Sequence, residues 1–273
     1  MIIDWTTTPA AIWRSRRGML RPVKHLDPIR LNQLLAIDDQ KQQLVTNTER
    51  FLARITANNA LLWGARGTGK SSLIKALLND YFDQGLRIIE VDKNELVDLP
   101  EIVDDIRDLP QRFVVFCDDL SFAEGEQSYK ALKSVLEGSI ELPPDNVIIY
   151  ATSNRRHLLP EKLTDNQQTH IVGGELHHGD SVEETLSLAD RFGLWLSFYP
   201  LPWEDYFDIV DNYFVDYDGD QKQLHEAARQ FALLRASHSG RTAKQFHLSW
   251  LNNAKGNNTG GNKKDNKEKE SDN

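Results

Sequence analysis

Gly64-Ala65-Arg66-Gly67-Thr68-Gly69-Lys70-Ser71 decides the reading of this chain, because it satisfies the phosphate-binding pattern G-x-x-x-x-G-K-[ST] at every constrained position. The glycines let the backbone bend until successive N–H groups converge on phosphate, an approach that a Cβ would block. Lys70 is expected to meet the β- and γ-phosphates and Ser71 to complete a Mg²⁺ shell, with Ala65, Arg66, Thr68 and Ser72 lining the cradle. The flanks agree: residues 60–63 are an apolar run suited to a buried strand, and residues 72–78 continue as a helix. Strand, loop and helix in that order predict a P-loop that takes ATP with Mg²⁺.

Outward from the loop, residues 113–117 (Phe-Val-Val-Phe-Cys) are continuously β-branched or aromatic, as in a strand buried on both faces of a parallel sheet. The run ends in Asp118-Asp119. Ligands of such sheets lie at the carboxyl ends of the strands, so Asp118 is expected to hold Mg²⁺ and Asp119 to polarise the attacking water. The plainer alternative is an Asp-Asp turn that merely closes the strand. Residues 147–154 form another buried run with a polar end. Asn154 can there orient water and sense the γ-phosphate, or simply cap the following turn. Arg155 and Arg156 follow, free to reach phosphate, a neighbouring subunit or solvent. Residues 86–91 and 195–199 read as further strands, and 96–106 and 127–137 as helices. Leu35 and Ile37, ahead of a helix reaching Ala53, are either an apolar wall for adenine or ordinary core packing.

The chain has 273 residues, of which 40% are apolar and 27% charged, enough for one large domain with a small companion. A net charge of −9 excludes a protein that coats nucleic acid over its whole surface but leaves room for local patches. One such patch is the basic arm at residues 1–33. Arg14, Arg16, Arg17, Arg21, Lys24 and Arg30 face only Asp4 and Asp27 there, with Trp5 and Trp13 interleaved. It reads as a contact for nucleic acid or an acidic neighbouring subunit, or as an extension packed on its own domain by the tryptophans; composition favours the packed extension. The single cysteine, Cys117, precludes an internal disulfide, no secretory signal is visible, and no apolar run is long enough to span a bilayer, so a cytoplasmic protein is expected.

Residues 161–180 are polar and read as irregular; His177-His178 lack partners at metal-ligand spacing. Ser181 and Glu184 form a capping box for a helix that runs toward Asp190-Arg191-Phe192-Gly193. Beyond Pro200 and Pro202, helices are expected at 204–214, 221–236 and 242–251, with Gly240-Arg241 opening the last, from where Arg241 could fold back over the nucleotide. The expected organisation is therefore a basic arm (1–33), a nucleotide-binding α/β domain (34–200), a helical lid (201–252) and a disordered tail (253–273).

Phosphate loop, strand-terminal Asp-Asp, strand-terminal Asn154, Asp-Arg-Phe-Gly and a late Gly-Arg follow one another in the order of AAA+ ATPases, which residues 34–252 resemble. Ala-Thr-Ser-Asn-Arg-Arg-His-Leu and Ser-Leu-Ala-Asp-Arg-Phe-Gly-Leu look like the bacterial ATP-binding family labelled domain of unknown function 815. The resemblance implies a three-layer α/β P-loop fold with a helical lid and ATP hydrolysis. It also implies a homo-oligomer, ring or filament, acting on a protein or nucleic-acid client. By the same resemblance Asn154 is sensor 1, Arg191 an arginine finger given to the neighbour, Arg241 sensor 2, and Leu35 and Ile37 flank adenine. Asp119 stands where many relatives carry glutamate, and the shorter carboxylate leaves open a slow-turnover, ATP-gated binding switch.

Overall fold

Five apolar runs become five parallel strands. A computed structural model of the chain describes residues 3–122, 127–137, 142–155, 170–172, 175–177 and 191–260. Their contacts divide the chain into two compact units, 1–199 and 200–273. In the first, β1 (Ala10–Arg14), β2 (Met19–Pro22), β3 (Ala60–Gly64), β4 (Leu86–Glu90), β5 (Arg112–Cys117), β6 (Val147–Ser153) and β9 (Leu194–Phe198) form one sheet in the order β2-β1-β4-β5-β6-β3-β9. Every neighbouring pair is parallel except β1–β2. The separate pair β7 (His170–Val172) and β8 (Glu175–His177) is antiparallel. That pair corrects the expectation of irregular chain at 161–180. Two short runs around Gly173-Gly174 carry the two-residue hairpin signal, and the register pairs Val172 with Glu175.

The sheet is the middle of three layers, because its strands are apolar on both faces. In β5, Phe113, Val115 and Cys117 point to one core cluster and Val114 and Phe116 to the other, the two-residue alternation of a pleated strand. One face is covered by α1 (Asp38–Leu52) and α2 (Lys70–Tyr81), through Leu44, Phe51, Leu73, Ile74 and Leu77. The other is covered by α3 (Leu99–Ile106) and α4 (Gln127–Glu137), through Leu99, Ile102, Val103, Ile106 and Leu132. Each fully buried side chain of this kind contributes about 1.5–3 kcal/mol against the entropy of ordering it. The acidic helix expected at 96–106 divides in two, with a 3₁₀ segment at Lys93–Asp98 and then α3, whose second residue is Pro100.

The N-terminal stretch is not an appendage to a domain starting at residue 34. Its hairpin extends the sheet, and Trp5 and Trp13 are buried in the same core as α3. Trp13 Nε1 donates to Asp98 at 2.9 Å, and the buried Arg87 of β4 donates to the carbonyls of Trp5 (2.6 Å) and Thr6 (3.3 Å). Burial pushes the Arg87 guanidinium below its ordinary pKa, with nearby Asp83 opposing the shift.

The second unit consists of α5 (Trp203–Tyr213), α6 (Gln221–Leu234) and α7 (Gly240–Gly260), packed around Tyr206, Leu224, Ala228, Ala243 and Phe246. Tyr206 donates to the carbonyl of Ala228 at 3.3 Å, and burial pushes its phenol up to about 12. The helical backbone of α7 passes the expected end at Leu251 and reaches Gly260, no proline intervening to stop it. Arg156, His178, Ser181, Glu184, Asp190 and residues 261–273 lie outside the described residues.

Candidate nucleotide site

The loop between β3 and α2 is shaped by what lies beneath it. Gly64 pairs with Phe198 of β9 at φ +128°, and a Cβ on it would stand 2.0 Å from the Phe198 carbonyl oxygen. Ala65 N donates to that same oxygen at 2.8 Å, so the loop's first turn sits directly on the end of β9. Gly67 (φ +80°) and Gly69 (φ +99°) take the left-handed conformations that bring the chain round to α2, which starts at Lys70. Thr68 braces the loop from inside by donating to the Ala65 carbonyl at 2.8 Å, while Arg66 is exposed. The unpaired N–H groups at the start of α2 and the helix dipole then favour an anion at the loop.

Lys70 is buried, and its ammonium donates to the Gly64 (2.8 Å) and Ala65 (2.6 Å) carbonyls and to Asn154 Oδ1 (3.4 Å). One side chain thereby spans the loop and the end of β6. Ser71 donates to Asp118 Oδ1 at 2.7 Å, joining the first turn of α2 to the end of β5. Asp119, at φ +55°, occupies a left-handed conformation that aspartate tolerates better than most residues. The turn is imposed from both sides, since Leu120 and Phe122 return to the core and Leu120 N donates to the Thr152 carbonyl at 2.6 Å. Asn154 donates to Asp119 Oδ1 at 2.5 Å. The six neighbours β5, β6, β3, the loop, α2 and β9 thus bring Lys70, Ser71, Asp118, Asp119 and Asn154 into one set, joined across the two aspartates by Thr152.

One member had gone unread. Thr152, buried in β6, donates to Asp118 Oδ1 at 2.5 Å and accepts from Asp119 N at 3.0 Å, touching both aspartates at once. The signal was available: Thr152 and Asn154 lie two residues apart and share a strand face. Cys117, one residue before Asp118, is buried and its thiol is pushed far above its ordinary value by desolvation, reinforced by Asp92 and Asp118. It is an inert core residue at neutral pH.

Ile37 is buried, and its Cδ1 lies 3.4 Å from where a Cβ on Gly69 would stand, so it packs beside the loop. Leu35 is half-buried in the same segment, which is irregular rather than helical, with a bend at Ala36 (φ +61°) and α1 starting only at Asp38. Arg191 is exposed while Phe192 is buried in the core, so the described Arg191-Phe192-Gly193 stretch is anchored by its phenylalanine. Arg155 is exposed beside Asn154. Arg241 lies in the first turn of α7, in the second unit.

Among the described residues, no group of three or more His, Cys, Asp or Glu side chains is placed to hold a metal. Mg²⁺ does not require one, since it is commonly held by one or two protein oxygens together with water and phosphate oxygens. Ser71 Oγ and Asp118 Oδ1, 2.7 Å apart at the loop, are oxygens of the kind such a site uses. No described helix is long and apolar enough to cross a membrane.

The family model described as protein of unknown function (DUF815) matches residues 6–254. A search of curated proteins finds no match. Solved structures similar to the chain include the RuvB Holliday junction branch migration motor of Thermotoga maritima, at 12% identity and TM-score 0.46, covering 81% of this chain and 72% of that one. Two point mutants of that RuvB match similarly, one at 11% identity, TM-score 0.49 and coverage of 81% and 72%, the other at 13%, 0.49 and coverage of 82% and 73%.

Proposed function

The chain belongs to the DUF815 family and carries its phosphate loop on a mostly parallel sheet, and from that premise we propose that it is an AAA+-type ATPase that binds ATP with Mg²⁺ and hydrolyses it as a self-assembled motor or loader. The observation that carries this reading is the connected set at the loop, in which the groups needed to bind, orient and activate already touch. Lys70 exchanges the Gly64 and Ala65 carbonyls for the β- and γ-phosphates, an attraction of about 4 kcal/mol per pair of charges 4 Å apart at an effective dielectric of 20. Ser71 and Asp118 would hold Mg²⁺, which would supply neutralisation of phosphate charge there. Asp119 accepts a hydrogen bond from the attacking water, and Asn154 fixes that carboxylate while presenting its amide toward the γ-phosphate. Ile37 and Leu35 offer adenine an apolar wall. Arg241 serves as the sensor on the helical unit, and Arg191, on its anchored turn, reaches the γ-phosphate of a neighbouring chain.

Mixing tests the assembly directly. Arg191→Ala chains should lose about 10³-fold or more in turnover with ATP binding retained. Lys70→Ala chains keep an intact Arg191, so combining the two variants should restore activity that neither shows alone. Hydrolysis independent of protein concentration, without rescue in demonstrably mixed assemblies, contradicts the shared site.

A second reading, an ATP-gated binding switch with slow turnover, draws on Asp119. Its carboxylate is one methylene shorter than glutamate and is already engaged by Asn154 at 2.5 Å. A motor's turnover rises when its client is added; a switch's stays low while ATP changes what it binds.

A further inference from the structure

From residue 5 to residue 26 the chain has no acidic residue, yet Arg14, Arg16, Arg17, Arg21 and Lys24 are all exposed there. The fold places the four arginines on the β1–β2 hairpin at the outer edge of the sheet, with Lys24 just after β2. Its register pairs Ile12 with Arg21 and Arg14 with Met19, so Arg14 and Arg21 share one face, while Ala11 and Trp13 turn the opposite face into the core. Arg16 and Arg17 occupy the connecting 3₁₀ turn. None of the five makes an ion pair with the described residues.

The opposite charge is segregated along the sequence too, although in space Glu95 meets Ser15 of the hairpin turn and Arg229 lies over Trp203 and Phe207 of α5. Residues 201–220 contain seven acids and no lysine or arginine. Glu204 and Asp208, four apart on α5, share a helix face, and Asp216 and Asp218 continue beyond its end; all four are exposed.

We propose that the basic β1–β2 hairpin of one chain docks on the acidic α5 face of a second copy. A head-to-tail interface needs two different complementary surfaces on each chain, which these stripes supply. Isolated surface ion pairs add little affinity, so the contact mainly orients the approach and selects register, and it weakens with salt. The proposal rests on the reading that the chain acts as an assembly.

The test is a charge swap on the full-length chain, with mass read by sedimentation velocity in Mg²⁺ and a non-hydrolysable ATP analogue. Arg14→Glu/Arg17→Glu and Asp208→Lys/Asp216→Lys chains should each self-associate at least about tenfold more weakly than the parent, with unchanged circular dichroism and thermal midpoints. An equimolar mixture should recover the parent's mass, because each reversed surface then meets its reversed complement. The parent's association should also fall with rising salt. Parental mass in both variants, or failure of the mixture to recover, overturns the proposal. So does a hairpin variant that loses salt-dependent binding of duplex DNA while keeping its mass, which would assign the patch to nucleic acid. An assembly indifferent to the swap but still dependent on Arg191 removes this contact and leaves the proposed function standing. A chain that is monomeric throughout, with concentration-independent hydrolysis, removes both.

Discussion

The two ends of β5 and β6 carry similar polar residues in opposite circumstances. At the amino ends, Arg112 and Asn146 are buried and their hydrogen bonds go to backbone: Asn146 donates to the carbonyls of Ile106 (2.9 Å) and Leu109 (3.0 Å), and Arg112 donates to that of Asp145. The Arg112 guanidinium also lies over Phe51, and its desolvation lowers its pKa against the pull of Asp145. At the carboxyl ends, Asp118 and Asp119 are exposed and Asn154 half-buried, and their bonds go to one another and to the phosphate loop. Polar groups committed to backbone hold loops in place. Polar groups exposed and bonded among themselves can exchange those bonds for a ligand at little cost. The comparison therefore predicts that substitutions at the two ends fail in different currencies, stability at one and nucleotide affinity at the other.

The largest separation is expected from Lys70→Ala. Loss of the ammonium should weaken ATP binding by several kcal/mol, on the order of a thousandfold in Kd, with the thermal midpoint nearly unmoved. Calorimetric titration showing parental affinity would break the assignment. Asn146→Ala is its counterpart at the amino ends. It removes the side-chain donor to the Leu109 carbonyl and one of two donors to the Ile106 carbonyl, which keeps Leu109 N, and should lower unfolding free energy by about 1–3 kcal/mol, with ATP affinity in the remaining folded protein unchanged. Denaturant titration in parallel with nucleotide binding reads both.

Thr152→Val sharpens the contrast, because Thr152 is as buried as Asn146 but bonds to the aspartates. If it positions the carboxylates, Val should weaken the Mg²⁺-dependent part of ATP binding about tenfold and leave Mg²⁺-free binding alone, about 1.4 kcal/mol on the metal's share. A uniform loss with and without Mg²⁺ would make it a packing residue only.

The smallest effect concerns Tyr150, midway along β6, which shares hydrogen bonds with Asn47 (3.0 Å) and Thr48 (2.9 Å) of α1. Burial pushes its phenol from 10.0 up to about 12. The folded state thus holds this proton more tightly than the unfolded chain, so the contribution is complete below pH 10 and is lost as pH rises toward 12. Tyr150→Phe should remove that segment of the alkaline decline and cost about 1 kcal/mol at neutral pH, measured by urea unfolding across the range.

Much of the site was legible because its chemistry is local in sequence. A loop that must cradle phosphate needs glycine at Gly64, Gly67 and Gly69 and a cation at Lys70, and strands buried on both faces must be apolar until they end in Asp118-Asp119 or Asn154. Period and composition alone place those residues at the carboxyl ends of a parallel sheet. Tertiary structure decided the rest, because burial and strand order arise from contacts distant in sequence. It made residues 10–22 part of the sheet, seated the loop on Phe198 of a strand more than 130 residues later, and gave Thr152 both aspartates as partners. It also set the same residue types to different work at the two ends of β5 and β6, since a sequence shows where a polar group lies along a strand but not which groups from elsewhere will surround it.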